Sequence, residues 1–127
     1  MLPQKNSKLL SLRLLSAQIG ADSLLVQGPG GNTSIKLDKV LWVKASGKNL
    51  IAANSEEIFI PINYKSVRQK LSEGVSDPLN GQTIGSLTSS TLRPSIETSL
   101  HAIMTDPIVV HVHCVNTIGW TVTRNAK

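Results

Sequence analysis

A single cysteine, Cys114, stands among 127 residues. An intrachain disulfide is thereby excluded, and one lone thiol fits a reducing compartment, the cytoplasm. Aromatics are almost as scarce, with Trp42, Phe59, Tyr64 and Trp120 the whole set. Rings so few give bases no stacking platform, and the 13 Lys and Arg form no dense stripe, so no nucleic acid is expected as partner. Long apolar runs are missing too, and no segment reaches the length that spans a bilayer. Met1–Ala21 is basic at its start and rich in leucine, but Arg13 and Gln18 interrupt it and no small-residue cleavage site follows. It reads as an amphipathic helix rather than a leader. No membrane partner is expected.

What is present is a chain that is 40% hydrophobic, enough for one domain over residues 1–127 with a real core. The net charge of +5 is scattered. Lys36, Lys39, Lys44 and Lys48 come closest to a cluster, interleaved with apolar residues as on the solvent face of a hairpin. A phosphorylated small molecule suits such a charge better than a polyanion does.

Along the chain, the pattern predicts a helix over 6–19, with Asn6 or Ser7 as cap and Gly20 as stop. A glycine loop, Gly28-Pro29-Gly30-Gly31-Asn32, leads into strands Thr33–Leu37 and Val40–Ala45 around a turn at Asp38-Lys39. Ser46-Gly47-Lys48-Asn49 ends the second strand. Ile58–Ile62 is a short strand, Tyr64–Ser72 a weak helix and Ser72–Leu92 a long polar loop. Pro94–Thr105 is a helix with Pro94 in its first turn, broken by Pro107, and Ile108–Val115 is the strongest strand. Asn116–Val122 opens a further helix, and Thr123–Lys127 supplies neither a closing strand nor a cap. The chain therefore reads as part of a longer protein.

The chemistry centres on His111 and His113, set in the apolar run Ile108–Val115. Residues two apart on a strand share a face. Two imidazoles buried side by side on an interior strand are desolvated twice, which a shared metal ion offsets. A metal site is favoured over a pair of core histidines. Cys114, on the opposite face, reads as a buried thiol. Folding the Pro94–Thr105 helix back through Asp106-Pro107 brings Glu97 level with His111, since about 12 Å of helix rise matches about 13 Å of strand. Geometry alone leaves Glu97 equally readable as a metal-site carboxylate, a base, or a first-turn glutamate favoured by the helix dipole. His101 shares Glu97's helix face and is open to two readings, a partner that supports Glu97 or, the favoured one, a packing histidine. The Gly28–Ser34 loop is not G-x-G-x-x-G, and a strand follows where that motif requires a helix, so a Rossmann reading fails. It is open to two readings, a plain glycine turn or a nest of N–H groups for an anion. Ser46-Gly47 is a second such turn, and the N–H groups of Ser95 and Ile96 at a helix N-terminus are a third donor set.

Gly31-Asn32-Thr33-Ser34, Ser46-Gly47, Arg93-Pro94-Ser95-Ile96-Glu97-Thr98 and His111-x-His113, in this order and spacing, resemble the class II aldolase/adducin N-terminal family over about residues 8 to 122. The stretches Val26–Lys36 and Arg93–His101 are most similar to long rhamnulose-1-phosphate aldolase/alcohol dehydrogenase-type proteins, which continue into a dehydrogenase domain. The resemblance implies an α/β fold, a three-layer α/β/α sandwich around a largely antiparallel sheet, here without its C-terminal part. It implies a zinc-dependent lyase that cleaves a ketose 1-phosphate to dihydroxyacetone phosphate and an aldehyde. His111 and His113 match two of three zinc-ligating histidines, Glu97 the catalytic acid/base, and Gly31, Asn32, Ser46, Gly47 and Ser95 the cradle of the substrate phosphate. Relatives form tetramers with the active site at a subunit interface, so a homo-oligomer is implied. Two departures stand out. Ile96 replaces a second phosphate-binding serine, and no histidine follows His113 to serve as third ligand. Sugar-phosphate 4-epimerases and dehydratases of the family use the same histidine pair. Adducin-like binding modules lack it.

Overall fold

The computed structural model describes residues 6–124. The basic start and the final tail on which the sequence reading drew, residues 1–5 and 125–127, lie outside them. Helix α1 runs Ser7–Ala21, and the Asn6 side-chain oxygen accepts the Lys8 N–H at 2.9 Å. This satisfies one of the N–H groups that a helix start leaves without a partner. Gly20 does not stop the helix. It lies within α1, where an added Cβ would stand 2.6 Å from the Leu50 carbonyl carbon of a 3₁₀ helix, Leu50–Asn54. Here the glycine serves close backbone approach, not termination. Nor is α1 cleanly amphipathic: Leu9, Leu12 and Ser16 face inward while Leu10 and Leu14 stay in solvent.

Strands β1 (Asn32–Leu37) and β2 (Val40–Lys44) form an antiparallel hairpin across Asp38-Lys39, with Asp38 at φ 54°. Aspartate tolerates that left-handed conformation better than most residues. β3 (Phe59–Ile62) pairs antiparallel with β2, and β4 (Ile108–His111) antiparallel with β1, giving the order β3-β2-β1-β4. Helix α2 spans Tyr64–Ser72, α3 Thr98–Ile103 and α4 Val115–Thr121. The long loop between α2 and α3 carries one 3₁₀ turn, Gly85–Leu87.

Side chains of β1, β2 and β3 alternate between two apolar clusters. Ile35, Trp42 and Phe59 pack with Leu9 and Leu12 of α1, while Leu41, Val43, Ile60 and Ile62 pack with Val67 of α2 and Ala102 of α3. Helices thus cover both faces of the sheet, and the fold is a three-layer α/β/α sandwich. Burying each of the four aliphatic side chains on the α2–α3 face contributes about 1.5–3 kcal/mol. That is why β2 and β3 read as continuous apolar runs rather than alternating ones.

Two expected elements change. The helix expected over Pro94–Thr105 shrinks to Thr98–Ile103, because Pro94 bridges to Ala45 and Ser46 N–H donates to the Arg93 carbonyl. Residues 93–94 are thereby drawn alongside β2 as extended chain. The strand expected over Ile108–Val115 ends at His111, since the N–H groups of His113 and Val115 donate to the carbonyls of Leu25 and Leu24. Among the described residues β4 pairs only with β1, so it is an edge strand and not an interior one, with Ile108 and Val110 exposed. Lys44 departs from the hairpin's expected solvent face and is 2% exposed, because β2 lies between two strands with both faces covered. No described helix is long and apolar enough to cross a membrane.

Candidate metal centre

The end of β4, the start of α3 and the segment after β4 converge on one point. Asn32 lies opposite His111 in the β1–β4 register, so His111 projects to the same side of the sheet as α3. Glu97, the residue capping α3, places Oε1 3.0 Å from His111 Nδ1. His113 reaches the same place from outside the strand, its ring centre 5.0 Å from that of His111 at an interplanar angle of 64°. The two rings therefore meet, but not through strand alternation. His113 is pinned by its N–H to Leu25 O and by Gln27 Nε2 to its carbonyl. Its ring lies against Gly30, where an added Cβ would sit 2.9 Å from His113 Nδ1. Cys114, expected as a buried thiol on a strand, is only partly buried at the N-cap of α4.

One ligand atom from each of Glu97, His111 and His113 lies within 4.8 Å of the other two. Among the described residues the buried His111 Nδ1 finds no hydrogen-bond partner, although the carboxylate oxygen is so close. An N–H aimed at that oxygen would form one. The contact instead sets a ring nitrogen and a carboxylate oxygen side by side, both atom types that ligate cations. Two imidazoles and a carboxylate are also the donor types of a zinc-type site. The residues present fit a divalent metal.

Behind the site runs a buried polar file. Asn32, Ser34, Thr98 and His101 have no exposed surface, and His101 Nδ1 stands 2.7 Å from Ser34 Oγ. Burial pushes the His101 pKa down to about 4; Glu97 opposes this, while His111 and Lys36 add to it. The ring is therefore neutral at ordinary pH. His101 is indeed packed, as its position suggested, but it is also hydrogen-bonded.

The proposed anion donors are partly assembled. Asn32 has its side-chain N–H on Lys44 O while its side-chain oxygen is buried without a partner. Gly31 is buried at φ 70°, where an added Cβ would stand 3.0 Å from His111 O, and Gly47 turns at φ 72°. Ser46 joins Arg93, Pro94 and Ile96 along one open cleft. Two expected donors are withdrawn. Ser46 N–H is already bound to Arg93 O, and Ser95 is no helix N-terminus, because α3 begins only at Thr98 and Ser95 Oγ accepts the Glu97 N–H.

Sequence reading missed Lys44. Its Nζ donates to Pro29 O at 2.8 Å and to Lys48 O at 2.6 Å, tying the glycine loop to the Ser46-Gly47 turn. Burial lowers its pKa and Glu97 partly restores it. Period two held the signal: Lys44 shares its face with Trp42, a side chain seldom left in water.

Comparison with known proteins adds three findings. Residues 15–127 match the family described as the class II aldolase and adducin N-terminal domain. The solved N-terminal class II aldolase domain of a conserved protein from Thermoplasma acidophilum is similar at a TM-score of 0.75 and 29% identity, covering 94% of this chain and 61% of that one. The chain thus spans less than two thirds of that structure's length. No curated protein matches it.

Proposed function

Because the chain belongs to the class II aldolase and adducin N-terminal domain family, we propose that it carries the metal-binding and proton-transfer groups of a lyase. The reaction is reversible cleavage of a ketose 1-phosphate to dihydroxyacetone phosphate and an aldehyde. The observation that carries this reading is the unbonded His111 Nδ1 3.0 Å from Glu97 Oε1, with the His113 ring beside it. His111 and His113 would hold the metal, zinc by donor type, with Glu97 in reach of it. When bound, a divalent metal supplies Lewis acidity toward the substrate carbonyl.

The protein's own part is proton transfer and phosphate binding. In the condensation direction Glu97 takes a proton from the carbon next to the ketone carbonyl. In cleavage the hydroxyl on the departing carbon gives its proton to solvent and becomes the aldehyde carbonyl, the carbon–carbon bond breaks with its electron pair on the ketone fragment, and Glu97 delivers a proton to that carbon. In condensation the aldehyde oxygen takes a proton back from solvent. The phosphate is bound by Gly31, the Asn32 side chain, the Ser46 hydroxyl, the Gly47 turn and the Ser95 hydroxyl. Arg93, along the same cleft as Ser46, adds positive charge. Lys44 holds the glycine loop and the Ser46-Gly47 turn at a fixed distance. A small phosphorylated sugar is then the partner, and a cytoplasmic homo-oligomer, tetrameric as in relatives, the working form. Exposed Trp120 and Val122 on and beside α4 support an assembled state.

The test incubates the protein with zinc and a panel of ketose 1-phosphates and follows release of dihydroxyacetone phosphate. Glu97→Gln keeps size and helix propensity but not basicity, so turnover is expected to fall by ~10²–10⁴-fold while inorganic phosphate still binds. Near-normal turnover in Glu97→Gln removes Glu97 as the base. An unbroken carbon chain with inverted configuration marks a 4-epimerase instead, and loss of water marks a dehydratase. Absence of both turnover and metal uptake leaves a binding module.

A further inference from the structure

Helix α3 is only 6 residues long, too short to hold itself. Arg68 of α2 fastens its C-terminal end through the carbonyls of Ala102 and Met104, and Ala102 is buried against β2. The bridge of Pro94 to Ala45 and the Ser46 N–H to Arg93 O bond fasten the chain just ahead of the helix, but neither these nor the Arg68 contacts set the rotation of α3 that aims Glu97. Among the described residues, His101 Nδ1 to Ser34 Oγ is the side-chain hydrogen bond that joins α3 to a strand.

The spacing on the two elements matches. From His101 back to Glu97 is four residues, about 6 Å of helix rise. From Ser34 back to Asn32 is two residues, about 6.6 Å of strand, and Asn32 lies opposite His111. The His101–Ser34 bond and the Glu97–His111 contact are therefore two rungs at one spacing, and locking the first sets the second. A slip of one helical residue would turn Glu97 by about 100° away from His111.

Stability does not explain the pair. Both side chains are wholly buried beside an aliphatic cluster, and among the described residues His101 Nε2 finds no hydrogen-bond partner. Replacing both members of such a buried pair by apolar groups is often neutral or stabilising. A directional bond supplies what apolar packing does not, a unique register.

We propose that His101 is a positioning residue: through its bond to Ser34 it sets the place of Glu97 over His111 and so the geometry of the metal centre. The inference rests on reading Glu97, His111 and His113 as that centre, and two measurements separate the claims. Cobalt(II) is titrated into the parent, His101→Leu, Ser34→Ala, the double variant His101→Leu/Ser34→Val, and His101→Asn, whose amide reaches the position of Nδ1. Affinity is expected to drop by about 10–100-fold in the first two, the range for loss of groups that orient ligands. The double variant shows no further additive loss, and His101→Asn is largely rescued. The cobalt visible bands shift in the same variants that lose affinity.

In the metal-free protein, the nuclear Overhauser contact between the Glu97 and His111 side chains is expected to weaken in His101→Leu and Ser34→Ala and persist in His101→Asn. Urea unfolding is run alongside. Unchanged cobalt affinity and an unchanged Glu97–His111 contact in folded Ser34→Ala and His101→Leu overturn the positioning role. It is equally overturned if the double variant regains cobalt affinity together with stability, which marks plain packing. If the parent binds no cobalt, the metal reading falls, and the metal-free contact alone decides whether His101 positions Glu97.

Discussion

At position 101 an imidazole sits where no water reaches, and its cost of ionisation becomes a property of the whole fold. Its pKa falls from 6.5 to about 4 through burial, with Glu97 opposing and His111 and Lys36 reinforcing. A depressed folded-state pKa means that the unfolded chain takes up the proton first. The stability tied to neutral His101 is therefore complete above about 6.5 and is lost as pH falls through about 4, by up to roughly 3 kcal/mol. Urea unfolding between pH 7 and 4 is expected to show that slope in the parent and a flatter one in His101→Asn. Equal slopes would show that the imidazole is not the group responsible. The His111–His113 pair stands out in the sequence because two imidazoles two residues apart name a donor set, whereas spacing leaves Glu97 open and only the family resemblance singles it out. The bond partner of His101 was not, since Ser34 lies 67 positions away.

Elements show the same division between pattern and context. The leucines and the Asn6 cap announce α1, but Gly20, which by sequence alone fits a terminator, lies inside the helix. Glycine has two uses, a left-handed turn or a close approach, and the sequence does not say which. At Gly20 a methyl group would strike the backbone of the Leu50–Asn54 helix. Gly20→Ala gains helix propensity but is expected to lose about 1–3 kcal/mol to overpacking. Thermal unfolding reads the balance, and an unchanged or raised Tm would reject the close approach. β4 and α3 came out shorter than their patterns for a common reason. Each is cut where its backbone groups find partners outside the element, His113 at Leu25 and the residues before α3 beside Ala45 and Ser46.

For the whole molecule, the candidate centre joins segments that the sheet alone does not tie together. Glu97 belongs to the α3 layer, His111 to the sheet, and His113 to a segment pinned on residues 24–27. A metal bound there cross-links all of them. Ligand that binds only the folded state stabilises by mass action, about 2.7 kcal/mol at a hundred times Kd. Zinc is therefore expected to raise Tm in a concentration-dependent way, a chelator to reverse it, and His111→Ala or His113→Ala to abolish the shift. A zinc-induced shift that survives both substitutions would place the metal elsewhere.

Composition and periodicity by themselves determined the order of most elements and singled out the histidine pair, while the fold class and the roles of the site residues followed from the resemblance of four ordered motifs to a known family. Apolar runs long enough for strands but not for membranes, capped leucine helices and a paired histidine motif are local properties, and local physics suffices to read them. Which glycine turns and which only makes room, which lysine is buried, and where a strand stops were decided by tertiary structure. Lys44 shows why. A lysine in an alternating hairpin belongs in water unless something supplies acceptors. Here Pro29 O and Lys48 O supply them, brought within hydrogen-bond reach by the folding of two loops around the strand end. Burial of a polar group depends on partners distant along the chain, and only the assembled fold brings those partners together.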